Sequence, residues 1–454
     1  MSHPVNKPTF SICTLGCKVN QYESQAIAED FERLGFLPHS FDEKCDIYVI
    51  NTCTVTAESD RKSRQMIRRA VKLGGDRAVV IVAGCFSQAE HETVRAIPGV
   101  SAAFGTADKS EIAAYAASLL QRRDRGDKIA FQDKVRSLSD IKTFDDTAIT
   151  RSERTRAFVK IVDGCENRCA YCIIPRVRGK IRSQSIEKVV SELAVLAQNG
   201  YREVVLTGIE TAAFGRDTGE SLSELLFRAD SIKGIERIRL GSLEPTIIRK
   251  EFVDTAAALS HVVPHYHLSL QSGCDDVLRG MRRKYNTAMF REKLSLLRSA
   301  VPDCTFTTDI IVGFPGETEE MFQKTCDFVR ECAFLYVHIF PYSVREGTEA
   351  AAYPNQISET VKKQRAARLK EVMLETRKEV LRSFDGKITT VLFEETDREH
   401  HFIGHTPHYI EARLCDDSVE ATPEKHRDDL HGKILPCRLI FREDTTEYMD
   451  CKLI

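Results

Sequence analysis

The run GCENRCAYC places Cys165, Cys169 and Cys172 at a C-x3-C-x2-C spacing, directly after the β-prone stretch AFVKIVD (157–163). A short loop with that spacing can wrap three thiolates around one face of an iron–sulfur cubane, and such clusters are held by cysteine thiolates. Three ligands leave one iron open to a small molecule. Zinc is the weaker alternative, because closed tetrahedral sites want four ligands, often in paired C-x2-C hooks. The bland alternative is three buried core cysteines. The polarity of the loop and its place after a strand weigh against it.

Cys17, Cys53 and Cys85 are far apart in sequence but occupy one structural position. LGC, NTC and AGC each follow a β-rich run, namely TFSICTLG (9–16), DIYVINT (46–52) and AVVIVAG (78–84). The carboxyl ends of parallel strands share one edge, which is where open α/β sheets bind ligands. Three thiols therefore converge, and a second cluster with one free iron is the sharp reading. Three unrelated core cysteines are the alternative. The other nine cysteines share no spacing. Cys326 and Cys332 lie in an amphipathic pattern and read as core fillers, since free cysteine is among the most buried residue types.

The elements that must position these thiols are legible. Helical stretches Tyr22–Leu34 and Ser59–Leu73 separate the first strands, which predicts a parallel sheet covered by helices. Residues 121–150 are polar and aperiodic and read as a linker. Strands are then predicted at 157–163, 203–208, 235–242, 265–270, 306–313 and 335–342, with helical patterns such as Ile186–Asn199, Thr287–Ala300 and Thr318–Cys332 between them. Six βα units predict a partial (β/α)6 barrel, short of the eight that close a full ring. A charged helix, Ser358–Arg382, leads to β-prone runs KITTVLFEE, YIEARL and ILPCRLIF, which predict a small antiparallel β-barrel. The expected α/β architecture thus divides into 1–120, a linker at 121–150, 151–375 and 376–454.

Composition narrows the class. Lys+Arg is 65 and Asp+Glu is 67, a net of −2, which excludes a globally basic nucleic-acid binder but not local basic patches. A chain of 454 residues can bury a large core without staples. Its fifteen cysteines are odd in number, against full disulfide pairing, and a reducing compartment makes a disulfide framework improbable. No run of 18 or more apolar residues is present, so no membrane span is expected. The first residues lack a basic-then-apolar signal pattern, and a cytoplasmic protein is expected.

The C-x3-C-x2-C loop resembles that of radical S-adenosylmethionine (SAM) enzymes. The wider motifs GCKVNQYES (16–24), INTCTVTAESDRKSRQ (50–65), AGCF and VKIVDGCENRCAYCIIPRVRGKIRS (159–183) resemble the methylthiotransferase family. LTGIE (206–210), LGSLEP (240–245), HLSLQSGCDDVLRGMRRKY (267–285), TDIIVGFPGET (308–318) and HIFPYSVREGT (338–348) are similar to its MtaB-type branch. The resemblance covers nearly the whole chain. It implies an N-terminal methylthiotransferase domain, a radical SAM barrel and a C-terminal TRAM domain. It implies two [4Fe–4S] clusters, one on Cys165, Cys169 and Cys172 that cleaves SAM, and an auxiliary one on Cys17, Cys53 and Cys85 that supplies or carries sulfur. The implied substrate is N6-threonylcarbamoyladenosine beside the tRNA anticodon, and the product its 2-methylthio derivative. Other branches act on isopentenyladenosine in tRNA or on an aspartate of a ribosomal protein. An electron donor such as flavodoxin or ferredoxin and a monomeric enzyme are expected. Two rival readings are a radical SAM enzyme whose first domain is purely structural, and a non-catalytic iron–sulfur protein that binds RNA or senses redox state.

SAM is expected across the carboxyl ends of the barrel strands, near Gly208, Glu210, Ser242, Glu244 and Gln271, with Tyr171 stacking on adenine. Gly313 and its neighbour Gly316 resemble the family's adenine-side turn. Three local basic groups are candidates for a phosphate-binding rim. They are Arg61, Lys62, Arg64, Arg68 and Arg69; Arg176, Arg178, Lys180 and Arg182; and Arg279, Arg282, Arg283 and Lys284. The bland reading of each is a solvated charged face. Residues 376–454 carry more acidic than basic groups, so this segment is expected to touch RNA through one face only or mainly to pack on the barrel.

Overall fold

The structure, a computed structural model, describes residues 7–398, 400–415 and 430–454. Strands Thr9–Thr14, Ile47–Thr52, Val79–Gly84 and Ala102–Phe104 are parallel neighbours in a six-stranded sheet. Ile47–Thr52 and Val79–Gly84 are buried at every position. That is expected where helices cover both faces of a parallel sheet. Helices Lys18–Arg33 and Ile112–Asp124 pack on one face through Ile27, Phe31, Ala116 and Leu119. Helix Ala57–Gly74 packs on the other through Ile67 and Ala70. Its start is fixed by Thr56, whose hydroxyl accepts from the Ser59 N–H at 3.1 Å, with Glu58 and Asp60 in the first turn.

The segment expected as a linker is more ordered than its composition implies. The helix before it runs on to Asp124, and Gln132–Lys134 joins the sheet beside Ala102–Phe104. This edge strand is three residues long with two of them exposed. It has no alternating apolar pattern by which the sequence could announce it.

The second unit carries six parallel strands in chain order: Ala157–Asp163, Glu203–Gly208, Arg237–Leu240, His265–His267, Thr305–Val312 and Tyr336–Pro341. The third and fourth are joined only by the bridges Ile238–Val262 and Leu243–Leu268. The result is the partial (β/α)6 barrel. Ala157, Val159 and Ile161 face the covering helices. Phe158 and Lys160 alternate with them and face inward, where Lys160 meets Glu23 of helix Lys18–Arg33 at 2.9 Å. That helix of the first unit therefore packs against the first two strands of the barrel.

Helix Glu359–Arg382 leads into a closed five-stranded barrel. Four of its pairings are antiparallel, as expected. The fifth, between Glu411–Leu414 and Met449–Leu453, is parallel, because closure brings a late strand beside an earlier one. This small barrel plugs the radical SAM barrel at the start of its strands. Arg237 donates to the His405 carbonyl at 2.8 Å, Arg239 to the Pro407 carbonyl at 3.1 Å, and Thr305 to the His408 carbonyl at 2.5 Å. Among the described residues no helix is long and apolar enough to cross a membrane.

Candidate active site

The loop after Ala157–Asp163 brings Cys165, Cys169 and Cys172 within mutual electrostatic reach. Backbone bonds shape it: the Cys165 N–H donates to the Gly179 carbonyl at 3.0 Å and the Cys172 N–H to the Cys169 carbonyl at 3.1 Å. Burial pushes the Cys165 thiol up to about 11 and the Cys172 thiol up to about 12. Both are therefore protonated at neutral pH until a metal displaces the proton. Arg283 donates to the Cys169 sulfur at 2.9 Å.

The second trio gathers at the edge of the first sheet. Each of its three sulfurs feels another of the set. Two glycines permit this. Gly16 has φ +100°, and a Cβ there would lie 2.7 Å from the Cys53 Cβ; Gly84 has φ +98°, and a Cβ there would lie 2.4 Å from the Thr52 carbonyl oxygen. Both turn the chain sharply out of a strand into a cysteine. Asn20 ties two of the loops together by donating to the Leu15 and Thr52 carbonyls at 2.7 and 2.9 Å.

Arg178 joins this trio to the barrel. It is fully buried. Its Nε donates to the Cys85 sulfur at 3.2 Å, Nη1 to Glu23 at 2.6 Å and Asp163 at 3.1 Å, and Nη2 to Asn20 at 2.8 Å. Lys160 completes the network, 2.9 Å from Glu23 and 2.7 Å from Asp163. A second clamp comes from Arg345, after the sixth barrel strand, which donates to Asp60 at 2.6 Å and to Thr54, next to Cys53, at 2.8 Å.

A tetrahedral zinc about 2.3 Å from each sulfur holds its thiolates roughly 3.8 Å apart. Among the described residues, the one set of three donors gathered within 4.8 Å is His267, Asp309 and His338. Neither cysteine trio is that tight, so each suits a wider, polynuclear guest.

Comparison with known proteins meets this geometry at both trios. The model of the Radical SAM superfamily matches residues 159–329, and that of Uncharacterized protein family UPF0004 matches residues 9–105. The chain is 38% identical over 440 residues to a Bacillus subtilis protein, across 95% of this chain and 94% of that one. It is 36% identical over 446 residues to a Thermotoga maritima protein, across 94% and 99%. Both are named threonylcarbamoyladenosine tRNA methylthiotransferase MtaB. The chain belongs to the radical SAM methylthiotransferase family. Its fold is similar to that of the radical SAM methyltransferase TsrM from Kitasatospora setae, with a TM-score of 0.56 at 14% identity over 76% of this chain and 77% of that one. As a member of the family it is a radical SAM enzyme of the tRNA methylthiotransferase type.

Around the Cys165 loop of this methylthiotransferase, two expected carboxylates face each other. The Glu244 N–H donates to Glu210 at 3.3 Å, and Glu244 is buried against Asn167 at 3.4 Å and Arg283 at 3.4 Å. Burial, with the Glu244 charge next, pushes the Glu210 carboxyl up to about 7. Tyr171 is half-buried among Ala170, Phe314 and Tyr342. Gln271, an isolated bridge to Ile310 just beyond the fourth strand, has φ +71°, a left-handed backbone rare for a side chain of that size and typical of constrained sites. Ser242 is half-buried at the end of the third strand. The two glycines have local explanations: a Cβ on Gly208 would lie 2.4 Å from Val162, and one on Gly313 2.4 Å from Lys362. The Gly313 N–H is already donated to Glu317 at 2.7 Å.

The basic groups divide. Arg61 and Lys62 are exposed beside Glu58, Arg64 lies over the Phe86 ring at 5.7 Å, Arg176 is exposed, and Arg282 pairs with Glu349 at 2.6 Å on the surface. Arg178 and Arg283 do not belong to any phosphate-binding rim. Arg178 is buried in the ionic network and Arg283 on Cys169 and Glu244, because carboxylates and sulfur surround them where a surface basic group meets water. Arg182 is likewise buried, donating to the Arg178 carbonyl at 2.9 Å. The sequence held a signal for this network: Lys160 and Asp163 are charged positions in an otherwise apolar strand, and Glu23 shares a helix face with buried Val19 and Ala26.

Proposed function

We propose that this enzyme transfers a methylthio group to carbon 2 of N6-threonylcarbamoyladenosine beside the anticodon of tRNA. The observation that supports this most is the buried ionic seam of Arg178, Glu23, Asp163 and Lys160, which ties the Cys85 sulfur of the second trio to the barrel, in a chain whose relatives are named for that nucleoside. Cys165, Cys169 and Cys172 hold one [4Fe–4S] cluster in this reading, and Cys17, Cys53 and Cys85 hold the auxiliary one. The carbon–hydrogen bond at carbon 2 is beyond side-chain acids and bases, and the clusters with SAM supply the one-electron and sulfur chemistry it needs.

The chain's own residues do the rest. Glu210 and Glu244 present carboxylates beside Cys165 for the amino group of SAM, and Tyr171 and Gln271 bound its other side. Arg283 holds the Cys169 sulfur in place by its hydrogen bond. Arg178 and Arg345 fix the first unit against the barrel so that both trios face one lumen. Arg61, Lys62, Arg64, Arg176 and Arg282 form the phosphate rim, and the anticodon-loop base is splayed into the lumen. A one-electron donor such as flavodoxin or ferredoxin serves a monomeric enzyme in the cytoplasm. The units at 1–120, 151–375 and 376–454 take the sulfur-cluster, radical and docking roles.

The test is anaerobic turnover with SAM and reductant on two tRNA preparations, one carrying threonylcarbamoyladenosine and the other isopentenyladenosine. Nucleoside mass spectrometry should find the methylthio product from the first alone. Product from the second, or from neither while 5′-deoxyadenosine still forms, refutes the substrate assignment. No 5′-deoxyadenosine at all would point to the non-catalytic reading.

A further inference from the structure

Three neighbouring strands of the radical SAM barrel bring His267, Asp309 and His338 together on their inner face. His265–His267, Thr305–Val312 and Tyr336–Pro341 pair in parallel, with His267 in register with Thr307 and Asp309 in register with His338. Side chains two apart on a strand share a face. Ile310 and Val337 join the apolar core under the helices, which leaves Asp309 and His338 to the lumen. The donor atoms of His267, Asp309 and His338 all lie within 4.8 Å of one another.

The spacing suits metal ligands better than a hydrogen bond. His267 Nε2 is 3.3 Å from Asp309 Oδ2. A charge-assisted hydrogen bond draws such a pair to about 2.7–2.9 Å. Two donors each about 2.0–2.1 Å from a tetrahedral zinc stand about 3.3 Å apart. His267 is also oriented as a ligand: its Nδ1 meets the buried Thr307 hydroxyl at 2.9 Å, which turns Nε2 toward Asp309. Metal-bound histidines usually have such a partner on the second ring nitrogen. The His338 ring lies 5.7 Å from that of His267 and packs edge-on to Tyr336 at 4.9 Å.

The trio is reachable. His338 is exposed and lines a cavity of about 490 Å³ with Tyr336, His405 and Tyr409, while the His267 and Asp309 side chains are 13% and 26% exposed. The guanidinium groups at the barrel floor are already neutralised. Arg237 and Arg239 pair with Glu203 at 3.3 and 2.8 Å, and Arg156 pairs with Glu394 of the C-terminal barrel at 3.0 Å.

We propose that His267, Asp309 and His338 form a site for one divalent ion of the zinc class. Two imidazoles and one carboxylate favour such an ion over magnesium or calcium, which take oxygen donors. Three protein ligands leave a position for water or for an oxygen donor that enters the lumen. The ion would anchor and polarise that donor, with no electron-transfer step. The site shares no residue with either thiol trio, and it does not depend on which nucleoside is the substrate.

The experiment uses the holoenzyme with its clusters filled. The protein is stripped of loosely held ions with EDTA and dialysed anaerobically against buffered zinc. Elemental analysis should find one zinc per chain with iron content unchanged. Zinc X-ray absorption should show only nitrogen and oxygen neighbours at about 2.0–2.1 Å. His338→Ala and Asp309→Asn should each weaken zinc at least about tenfold, with iron content and circular dichroism unchanged. If Asp309→Asn loses iron, His338→Ala decides by itself, because that side chain is exposed. No zinc uptake by wild type overturns the proposal and leaves an aspartate–histidine pair. Wild-type affinity in His338→Ala overturns it as well. Sulfur neighbours at about 2.3 Å also overturn it, because they assign the zinc to vacant cluster thiolates.

Discussion

Arg178→Met removes a buried group that touches both the second cysteine trio and the barrel. Glu23 shows what its loss costs. Burial raises the Glu23 carboxyl, yet Arg178 first, then Lys160 and Lys109, pull it from 4.5 down to about 2. A depression of that size corresponds to about 3 kcal/mol of favourable interaction, within the roughly 3–5 kcal/mol expected when one partner of a buried ion pair is deleted. Because the folded pKa is depressed, the contribution is fully present above pH 4.5 and is lost as pH falls toward 2. Chemical unfolding followed by circular dichroism should therefore show the variant about 3 kcal/mol less stable at pH 7, with the gap narrowing by about 1 kcal/mol at pH 3.5. Arg178→Lys, which keeps the charge but not the fork that reaches Glu23, Asp163, Asn20 and Cys85 together, should fall between. A Met variant within about 1 kcal/mol of wild type at pH 7, or a gap that does not change with pH, would refute the account of the seam.

Cys169→Ala should abolish SAM cleavage, whereas Cys17→Ala should retain cleavage and lose methylthiolation, each with iron falling from about eight to about four per chain; equal loss of both activities in the Cys17 variant contradicts the division of labour. Burial pushes the Glu192 carboxyl from 4.5 up to about 8, although the Ile149 N–H donates to it at 2.8 Å. A raised folded pKa adds stability below pH 4.5 that is lost as pH rises through 8, so Glu192→Gln should become more stable than wild type by a few kcal/mol near pH 8.5 and show little gain near pH 5. Thermal midpoints across that range check it, and parallel profiles for the two proteins would exclude it. Charge removal at Arg61, Arg64 or Arg176 should weaken every tRNA alike and lower the salt slope of binding by about one per contact; a variant that changes discrimination between tRNAs without changing the slope would take that residue out of the rim.

Both thiol trios were legible before any coordinates, because their signals are local. A C-x3-C-x2-C spacing fits one loop, and a cysteine just past each of three β-rich runs lands on a shared edge once the strands are parallel. The strand and helix order followed from apolar periodicity, and the helix Thr287–Ala300 has the bounds its pattern implied. The edge strand Gln132–Lys134 had no such pattern and emerged only from pairing with Ala102–Phe104. The sharpest divergence lies within five residues. Arg176 and Arg178 share the short helix Ile174–Arg178, and their sequence surroundings are alike. One side chain meets water, whereas the other is sealed beneath Glu23 and Asn20, more than 150 residues earlier in the chain. Spacing along the chain determines which residues can act together within a loop or across strand ends. Which charges are buried depends on what packs over them, and that is decided when helix Lys18–Arg33 packs against a barrel that local sequence can describe only one strand at a time.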